Sequence, residues 1–294
     1  MHEHVYTLPG GYFDPNGRLH REVALRALGG YEEELLSSQH LSPAKQVTQL
    51  LQRCITRIGD ITVINEDVTK QLFVADREYL LLMLRKITFG NKVQAKLACP
   101  WPDCLKNIDI DFNIDEVPIT TSGDTQQQYS CAIYDETQDR THEYTFRLPS
   151  GRDQEMIGEE IGDSEACIVN HLLSSCLLRI DGESCIDAET VRGLSASIRN
   201  RLEQEIEKNA PNIDLCMELS CPECSRSFVA PFELQDFFFG EIKTNIELLY
   251  REIHYLAFHY HWSEAELLSM PRSKRRRYID ILSSEIEKIN DKAN

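Results

Sequence analysis

Two short stretches decide the fold: LACPWPDCLKNIDIDF at residues 97–112 and LSCPECSRSFVAPF at residues 219–232. Each places a pair of cysteines between two apolar, extended runs, and a proline follows the first cysteine of each pair. Proline fixes the backbone in a tight turn, which brings the two sulfurs of a pair together. Four thiolates in two such turns match a closed structural zinc site, in which protein ligands fill every coordination position. The predicted zinc ligands are Cys99, Cys104, Cys221 and Cys224.

A redox dithiol and unligated thiols are the alternatives for these cysteines. A redox pair is expected at the start of a helix, where the dipole lowers the pKa of the first thiol. Cys221 instead lies between LCMEL and SFVAPF, which both have the character of strands. The first pair has four residues between its cysteines, a long spacing that zinc sites nevertheless use. The sequence leaves open whether the two pairs share one Zn²⁺ or hold two.

The cysteine spacing indicates an internal duplication. Cys54 precedes Cys99 by 45 residues (99 − 54), and Cys176 precedes Cys221 by the same distance (221 − 176). One offset of 122 (221 − 99) therefore superposes both pairs. The same offset places Leu50 on Leu172, Arg57 on Arg179, Arg77 on Arg199, Leu80 on Leu202 and Pro100 on Pro222. Repeats fix the architecture of a chain, and two related modules would bring one cysteine pair each to a common metal. Chance matches of leucine and arginine are the alternative.

The duplication predicts the fold class and the domains. We expect an α+β protein with two related α+β modules, each ending in a zinc-knuckle β-hairpin, followed by a C-terminal helical region. The first module takes residues 1–118, the second residues 119–236 and the helical region residues 237–294. We also match LPGG at residues 8–11, interpreted as a turn, with LPSG at residues 148–151.

Composition limits the classes of partner. The net charge of −17 disfavours nucleic acid and anionic membrane surfaces. No apolar run reaches the length of a membrane span, and the start MHEHVYTLPGG lacks the regions of a signal peptide. We therefore predict a cytoplasmic protein whose partners are proteins. Cytoplasmic cysteines stay reduced, so buried packing is expected for the others. These are Cys54, Cys131, Cys167, Cys176, Cys185 and Cys216.

Two acidic clusters have both a metal-binding and a structural interpretation. Glu32, Glu33 and Glu34 open a predicted helix, but consecutive helix residues face different directions, so a solvated helix start is favoured. The aspartates at positions 109, 111 and 115 alternate with apolar residues, which spreads them along one face of a strand. Calcium needs several oxygen ligands that surround one ion, so a solvent-exposed strand face is the favoured interpretation of these aspartates.

The C-terminal region carries histidines and the densest basic run. His254, His259 and His261 are spaced five and two residues apart, which does not place them on one helix face, so packing or a surface role is favoured over zinc. The basic run contains Arg272, Lys274, Arg275, Arg276 and Arg277. It could dock on the acidic body of the protein or on a partner, with nucleic acid as a weaker alternative.

Several motifs in order resemble a known family. They are LPGG, ADREYLLLMLRKITFG at residues 75–90, the CPWPDC knuckle, LPSG, the CPEC knuckle and FELQDFFFG at residues 232–240. Together they resemble the baseplate hub assembly chaperones of T-even phages and related contractile injection systems. The segment at residues 251–282 is similar to parts of tail-assembly proteins from phage-derived injection particles. The resemblance implies a non-catalytic role in building the baseplate hub, with hub, spike or tape-measure proteins as partners.

The predicted function is that of an assembly chaperone rather than an enzyme. The sequence has no Walker-type nucleotide loop, no G-x-S-x-G and no H-E-x-x-H. We expect the protein to hold a hub, spike or tape-measure subunit until the proper neighbour displaces it. The alternatives are a permanent structural component of the baseplate and a dithiol redox enzyme. A zinc-ribbon adaptor in transcription is disfavoured by the net charge of −17.

Overall fold

The computed structural model describes residues 3–37, 41–160, 165–184, 186–232, 234–243 and 246–293. These residues form helices and small antiparallel sheets, and the C-terminal part is helical. The predicted α+β fold class is therefore confirmed.

The first half combines one sheet, four helices and a separate hairpin. Its sheet has the strand order β1 (His4–Phe13), β2 (Leu19–Leu25), β3 (Ile55–Ile58). Its helices are α1 (Gly30–Ser37), α2 (Pro43–Cys54), α3 (Glu66–Gln71) and α4 (Val74–Phe89). The hairpin of β4 (Lys92–Ala98) and β5 (Asn107–Asn113) carries the first cysteine pair at its tip.

The second half repeats this order. A short strand, β6 (Ile119–Thr120), leads into it and pairs with β10 (Asn212–Ile213). Its sheet has the order β7 (Tyr129–Asp135), β8 (Arg140–Phe146), β9 (Leu177–Ile180). Its helices are α5 (Gly151–Glu160), α6 (Glu165–Cys176), α7 (Ala188–Gly193) and α8 (Ala196–Asn209). The second cysteine pair lies at the tip of the hairpin of β11 (Cys216–Ser220) and β12 (Ser227–Pro231).

The two halves share one offset over much of their length. The elements α2, β3 and α3 begin 122 residues before α6, β9 and α7 (165 − 43, 177 − 55 and 188 − 66). The strand registers also agree, because Val23 pairs with Ile58 as Tyr144 pairs with Ile180. Both registers then slip at the same place, between Ala24 and Leu25 and between Thr145 and Phe146. The common register makes β2 the counterpart of β8.

The predicted match of LPGG with LPSG is wrong. Residues 8–11 lie inside β1, where the register slips between Thr7 and Tyr12 instead of turning. The backbone amides of Gly10 and Gly11 donate to the buried carboxylate of Asp76 at 2.8 and 3.0 Å, which holds this irregular part of the strand. Residues 148–151 follow β8 and Arg147, just as the segment ALGG at residues 27–30 follows β2 and Arg26, so ALGG is their counterpart.

The sequence SPAKQVTQLLQRCITRI at residues 42–58 predicts one helix, with Val47, Leu50, Leu51, Cys54 and Ile58 on its buried stripe. The observed helix is shorter. The helix that begins after Ser42 ends at Cys54 rather than at Ile58, and residues 55–58 form β3. The sequence ITRI is rich in β-branched side chains, which fit a strand better than a helix. Ile58 is nevertheless buried, as predicted.

The cores join parts of the chain that are distant in sequence. The largest core contains side chains of the first half together with Ile213, Cys221, Phe232 and Phe238. A second core holds residues of β7 to α8, including Tyr144 and Leu202. The second cysteine hairpin therefore packs with the first half of the chain.

The described residues from 234 onward form α9 (Leu234–Lys243), α10 (Ile246–Tyr260), α11 (Glu264–Leu268) and α12 (Arg272–Ala293). Ser263 starts α11 with a capping box that includes Glu266. A small third core forms around Leu249, Leu256 and Leu267. In the described part of the chain, no helix is both long enough and apolar enough to cross a membrane.

The unpaired cysteines differ in burial. Cys54 and Cys176 are buried and Cys131 is partly buried, but Cys167 and Cys216 are exposed, so buried packing is a wrong prediction for these last two. Cys216 lies on the same outward face of β11 as Glu218, because alternate residues of a strand share a face. Cys185 lies outside the described residues.

Candidate metal centre

The four predicted zinc ligands converge on one point between the two hairpins. The Sγ atoms of Cys99 and Cys224 are 3.8 Å apart, and those of Cys104 and Cys221 are 3.7 Å apart. All four sulfurs lie within 4.8 Å of one another. In a tetrahedral site with Zn–S bonds of about 2.3 Å, neighbouring sulfurs are about 3.8 Å apart. The sulfur positions therefore fit one four-coordinate metal ion that both hairpins share.

The two turns close in the same way although their lengths differ. The amide of Cys99 donates to the carbonyl of Lys106 at 2.8 Å, and the amide of Cys221 donates to the carbonyl of Arg226 at 3.0 Å. The residue after the second cysteine has a positive φ in both turns, +50° at Leu105 and +57° at Ser225. CPWPDC has two more residues between its cysteines than CPEC. Because the backbone after the second cysteine is similar in both turns, the two extra residues are accommodated before that cysteine.

Burial and backbone amides affect these thiols in opposite directions. Cys99 and Cys221 are buried, whereas Cys104 and Cys224 are partly exposed. Desolvation raises the pKa of the Cys99 thiol to about 12. The backbone amide of Cys224 is the main cause that lowers the pKa of Cys221 to about 7. A metal ion binds thiolates, so its binding here must release protons, above all from Cys99.

An exposed ion pair joins the tips of the two hairpins. Arg226, just after the second pair, donates Nη1 to Oδ1 of Asp103 at 2.8 Å, and its Nη2 contacts the other carboxylate oxygen. The guanidinium also lies 5.2 Å from the centroid of the Trp101 ring. These three side chains bridge the hairpins beside the sulfurs. Sequence reasoning missed this pair because 123 residues separate its members.

The geometry gives little support to a redox dithiol. The cysteines lie in turns between strands, so no helix start lowers their pKa. The sulfur contacts of 3.8 and 3.7 Å each join cysteines of different hairpins. The arrangement suits a joint that ties the hairpins together.

The acidic start of α1 is buried rather than solvated, so that prediction is wrong. Glu32 accepts from Arg26 at 2.9 Å and from the amide of Gly29 at 2.8 Å. Glu33 accepts from Arg275 at 2.5 Å. Gly29 and Gly30 allow the C-terminal region to approach this closely, because a Cβ atom at Gly30 would lie 2.7 Å from the side chain of Leu268.

The basic run at the start of α12 divides between the body and the solvent. Arg272 and Arg275 are buried against α1, as the sequence interpretation of docking on the acidic body predicts. Lys274, Arg276 and Arg277 are exposed.

The other metal candidates do not form clusters. His254, His259 and His261 are exposed. Asp109 and Asp111 are exposed along β5 and face Lys96 and Lys92 across the hairpin. Among the residues that the structure describes, only the four cysteines form a group close enough to share a metal.

Comparison with known proteins gave two family matches. A family model described as T4 bacteriophage base plate protein matches residues 1–239, which include both halves of the repeat and all four clustered cysteines. A model described as a family of unknown function matches residues 242–294, which include α10, α11 and α12. No curated protein and no solved structure matches the chain.

Proposed function

The chain belongs to the T4 bacteriophage base plate protein family, and we propose that it is a non-catalytic, zinc-stabilised assembly chaperone of the baseplate hub. The family match supports the role in a baseplate. The observation that carries the structural part is the sharing of one thiolate cluster by two hairpins from different halves of the chain. The protein acts in the cytoplasm of a bacterial or phage-infected cell.

Zinc would act as a structural joint in this proposal. Four cysteines fill the coordination positions of a tetrahedral ion, so no position remains for a substrate or a reactive water. Structural zinc contributes on the order of 10 kcal/mol to coupled folding in small domains. The ion would thus fix the second hairpin on the core of the first half.

An open acidic cleft supports binding of a client protein. It has a volume of about 880 Å³ and lies between the β4–β5 hairpin and α9. Its lining contains four acidic residues and one lysine, together with Ile110 and Phe237; the charged residues are Asp109, Asp111, Asp236, Glu241 and Lys96. This mixture suits a basic, partly apolar segment of a hub, spike or tape-measure subunit. An exposed, charge-dependent contact can also be displaced by a later partner.

The second candidate is a permanent structural component of the baseplate. The description of the family as a base plate protein favours it. Quantitative mass spectrometry of producing-cell lysates and of purified particles separates the two. An assembly chaperone is bound to hub proteins in the lysate and is absent from the particles. A fixed number of chains per particle would overturn the chaperone proposal and support the structural component.

A further inference from the structure

Among the described residues, a helix of 5 or 6 residues followed by one of 14 to 22 residues occurs three times. The pairs are α3–α4, α7–α8 and α11–α12. A capping residue precedes each short helix and accepts a hydrogen bond from an amide three residues later; these residues are Asn65, Asp187 and Ser263. Each long helix has an arginine at its fourth position: Arg77, Arg199 and Arg275. The C-terminal helices thus repeat part of both halves.

Two of these helix pairs each pack against another segment of the chain, and the two segments have the same local structure. We call each of them an acceptor segment. The acceptor segments are residues 26–33 and residues 147–155, each following the middle strand of a sheet. In each, an arginine forms a bidentate pair with a carboxylate: Arg26 with Glu32, and Arg147 with Asp153. The same carboxylate accepts from a backbone amide at the turn in both segments. A glycine then begins the helix.

The C-terminal pair occupies the first acceptor segment. Pro271, the residue before α12, forms a β-bridge with Gly29. Arg275 is fully buried and contacts Glu33 at 2.5 Å. Leu268 of the short helix packs on Gly30, where there is no room for a Cβ atom.

The pair α3–α4 occupies the second acceptor segment in the same way. Phe73, the residue before α4, forms a β-bridge with Ser150. Arg77 is fully buried, and a Cβ atom at Gly151 would overlap its guanidinium. Lys70 of the short helix lies 3.3 Å from the carboxylate of Glu155. Each docked pair therefore uses one position in the short helix, the residue between the helices and the arginine.

The pair α7–α8 also has residues at these three positions, but in the described structure no acceptor segment packs against them. They are Arg192, Ser195 and Arg199, which stand 122 residues after Lys70, Phe73 and Arg77 (192 − 70, 195 − 73, 199 − 77). Arg192 is exposed and Arg199 is partly exposed. Within the described part of the chain, neither side chain makes a hydrogen bond or an ion pair. The described bridges do not include Ser195.

We propose that Arg192, Ser195 and Arg199 form a docking surface for an acceptor segment of a partner protein. The partner segment is a strand end followed by a turn, a glycine at the first position of a helix, and carboxylates within the next four residues. The partner is not a second copy of this chain, because both acceptor segments among the described residues are already filled by the chain's own helices. Each filled joint contains one cation that contacts a carboxylate of the acceptor segment: Arg275 contacts Glu33, and Lys70 contacts Glu155. Arg192 and Arg199 stand at the positions equivalent to Lys70 and Arg275, so they suit an acidic partner segment. The inference goes beyond the proposed function, since it rests on the repeat and not on the kind of particle.

The test uses an opened chain as the source of a free acceptor segment. The opened chain is the full-length variant R275E/R199E, in which a glutamate at position 275 repels Glu33 and Glu252 and releases the C-terminal pair. Its own docking surface is removed by R199E. Wild-type protein is titrated into it by calorimetry. A second opened chain, R272E/R275E/R199E, repeats the titration with both buried arginines reversed.

The expected result is that wild-type protein binds the opened chains and that R199E protein binds at least about 30-fold more weakly, as for loss of a desolvated charge pair. The matched control is R201E, which reverses an exposed arginine two positions further along α8 and changes the affinity less than twofold. A photo-crosslinker at position 192 should join residues 29–37 of the opened chain. Equal binding by R199E protein, no binding to either opened chain, or crosslinks elsewhere would overturn the proposal. Self-association of wild-type protein that R199E abolishes would show a second copy as the occupant instead.

Discussion

Replacing Arg275 with methionine should loosen the C-terminal region while the rest of the chain stays folded. The guanidinium is fully buried and contacts Glu33 at 2.5 Å, Glu252 at 3.3 Å and the carbonyl of Met270 at 2.8 Å. Its removal takes one cationic partner away from each of two buried carboxylates, those of Glu33 and Glu252. Loss of one member of a buried pair costs about 3–5 kcal/mol. The weaker contacts of Arg272 with Glu33 and of Arg276 with Glu252 remain, so the lower end of that range applies.

Amide hydrogen exchange measures this cost locally. About 3 kcal/mol corresponds to roughly 100-fold faster exchange for amides that open with the joint. We expect this change in α1 and in residues 264–279, with little change in β7 to β9. The matched control is Arg276→Met, since Arg276 is 52% exposed at its side chain and its contact with Glu252 is 3.5 Å long. An exposed pair contributes up to about 1 kcal/mol. Equal exchange rates in the two variants would refute the reasoning that the buried arginine holds the joint.

Three further predictions follow from buried and exposed groups. Gly151→Ala should lower the free energy of unfolding by about 1–3 kcal/mol in urea denaturation, because the new methyl overlaps a buried guanidinium; Gly158→Ala, where the Cβ atom meets only ordinary contacts, should not destabilise. Burial raises the pKa of Asp76 to about 7. The folded state therefore binds a proton more tightly than the unfolded state, and stability should fall as the pH rises from about 4 to 7, by up to about 1.4 kcal/mol per pH unit. This decrease should be absent in Asp76→Asn. A variant with the same dependence of stability on pH as the wild-type protein would contradict the raised pKa of Asp76. Asp111→Lys should weaken binding of a hub subunit at low salt in a pull-down with purified proteins, whereas Glu136→Lys, an exposed change outside the cleft, should leave it unchanged.

Local sequence signals predicted the hairpins well. The Cys-Pro turns and the alternation of apolar residues in β5 depend only on neighbours in the chain, so their pattern is visible in the sequence. The convergence of the cysteines followed from the repeat, which is a long-range signal of unusual clarity. The end of α2 was missed because the helical spacing of Val47, Leu50 and Leu51 continues to Ile58, although tertiary contacts make residues 55–58 a strand.

Long-range charge pairs were not predictable in this way. Glu33 and its partner Arg275 stand 242 residues apart, so the buried state of the acidic helix start has no local sign. The role of LPGG was missed for the same reason, since its amides bind Asp76 from another part of the chain. One overlooked signal was available: Asn65, Asp187 and Ser263 are each followed by an arginine twelve residues later (77 − 65, 199 − 187, 275 − 263). That spacing would have revealed the three helix pairs.

The central structural claim is that one metal ion ties the two hairpins together, and native mass spectrometry of the reduced full chain tests it most directly. We expect one Zn²⁺ per chain, retained in Cys216→Ser, whose cysteine is exposed and outside the cluster, and lost in Cys221→Ser. Loss of zinc should also lower the protection of the β11–β12 hairpin against hydrogen exchange, because in the proposal the ion fixes this hairpin on the core of the first half. A chain with no zinc, a chain with two zinc ions, or full zinc retention in Cys221→Ser would contradict the account.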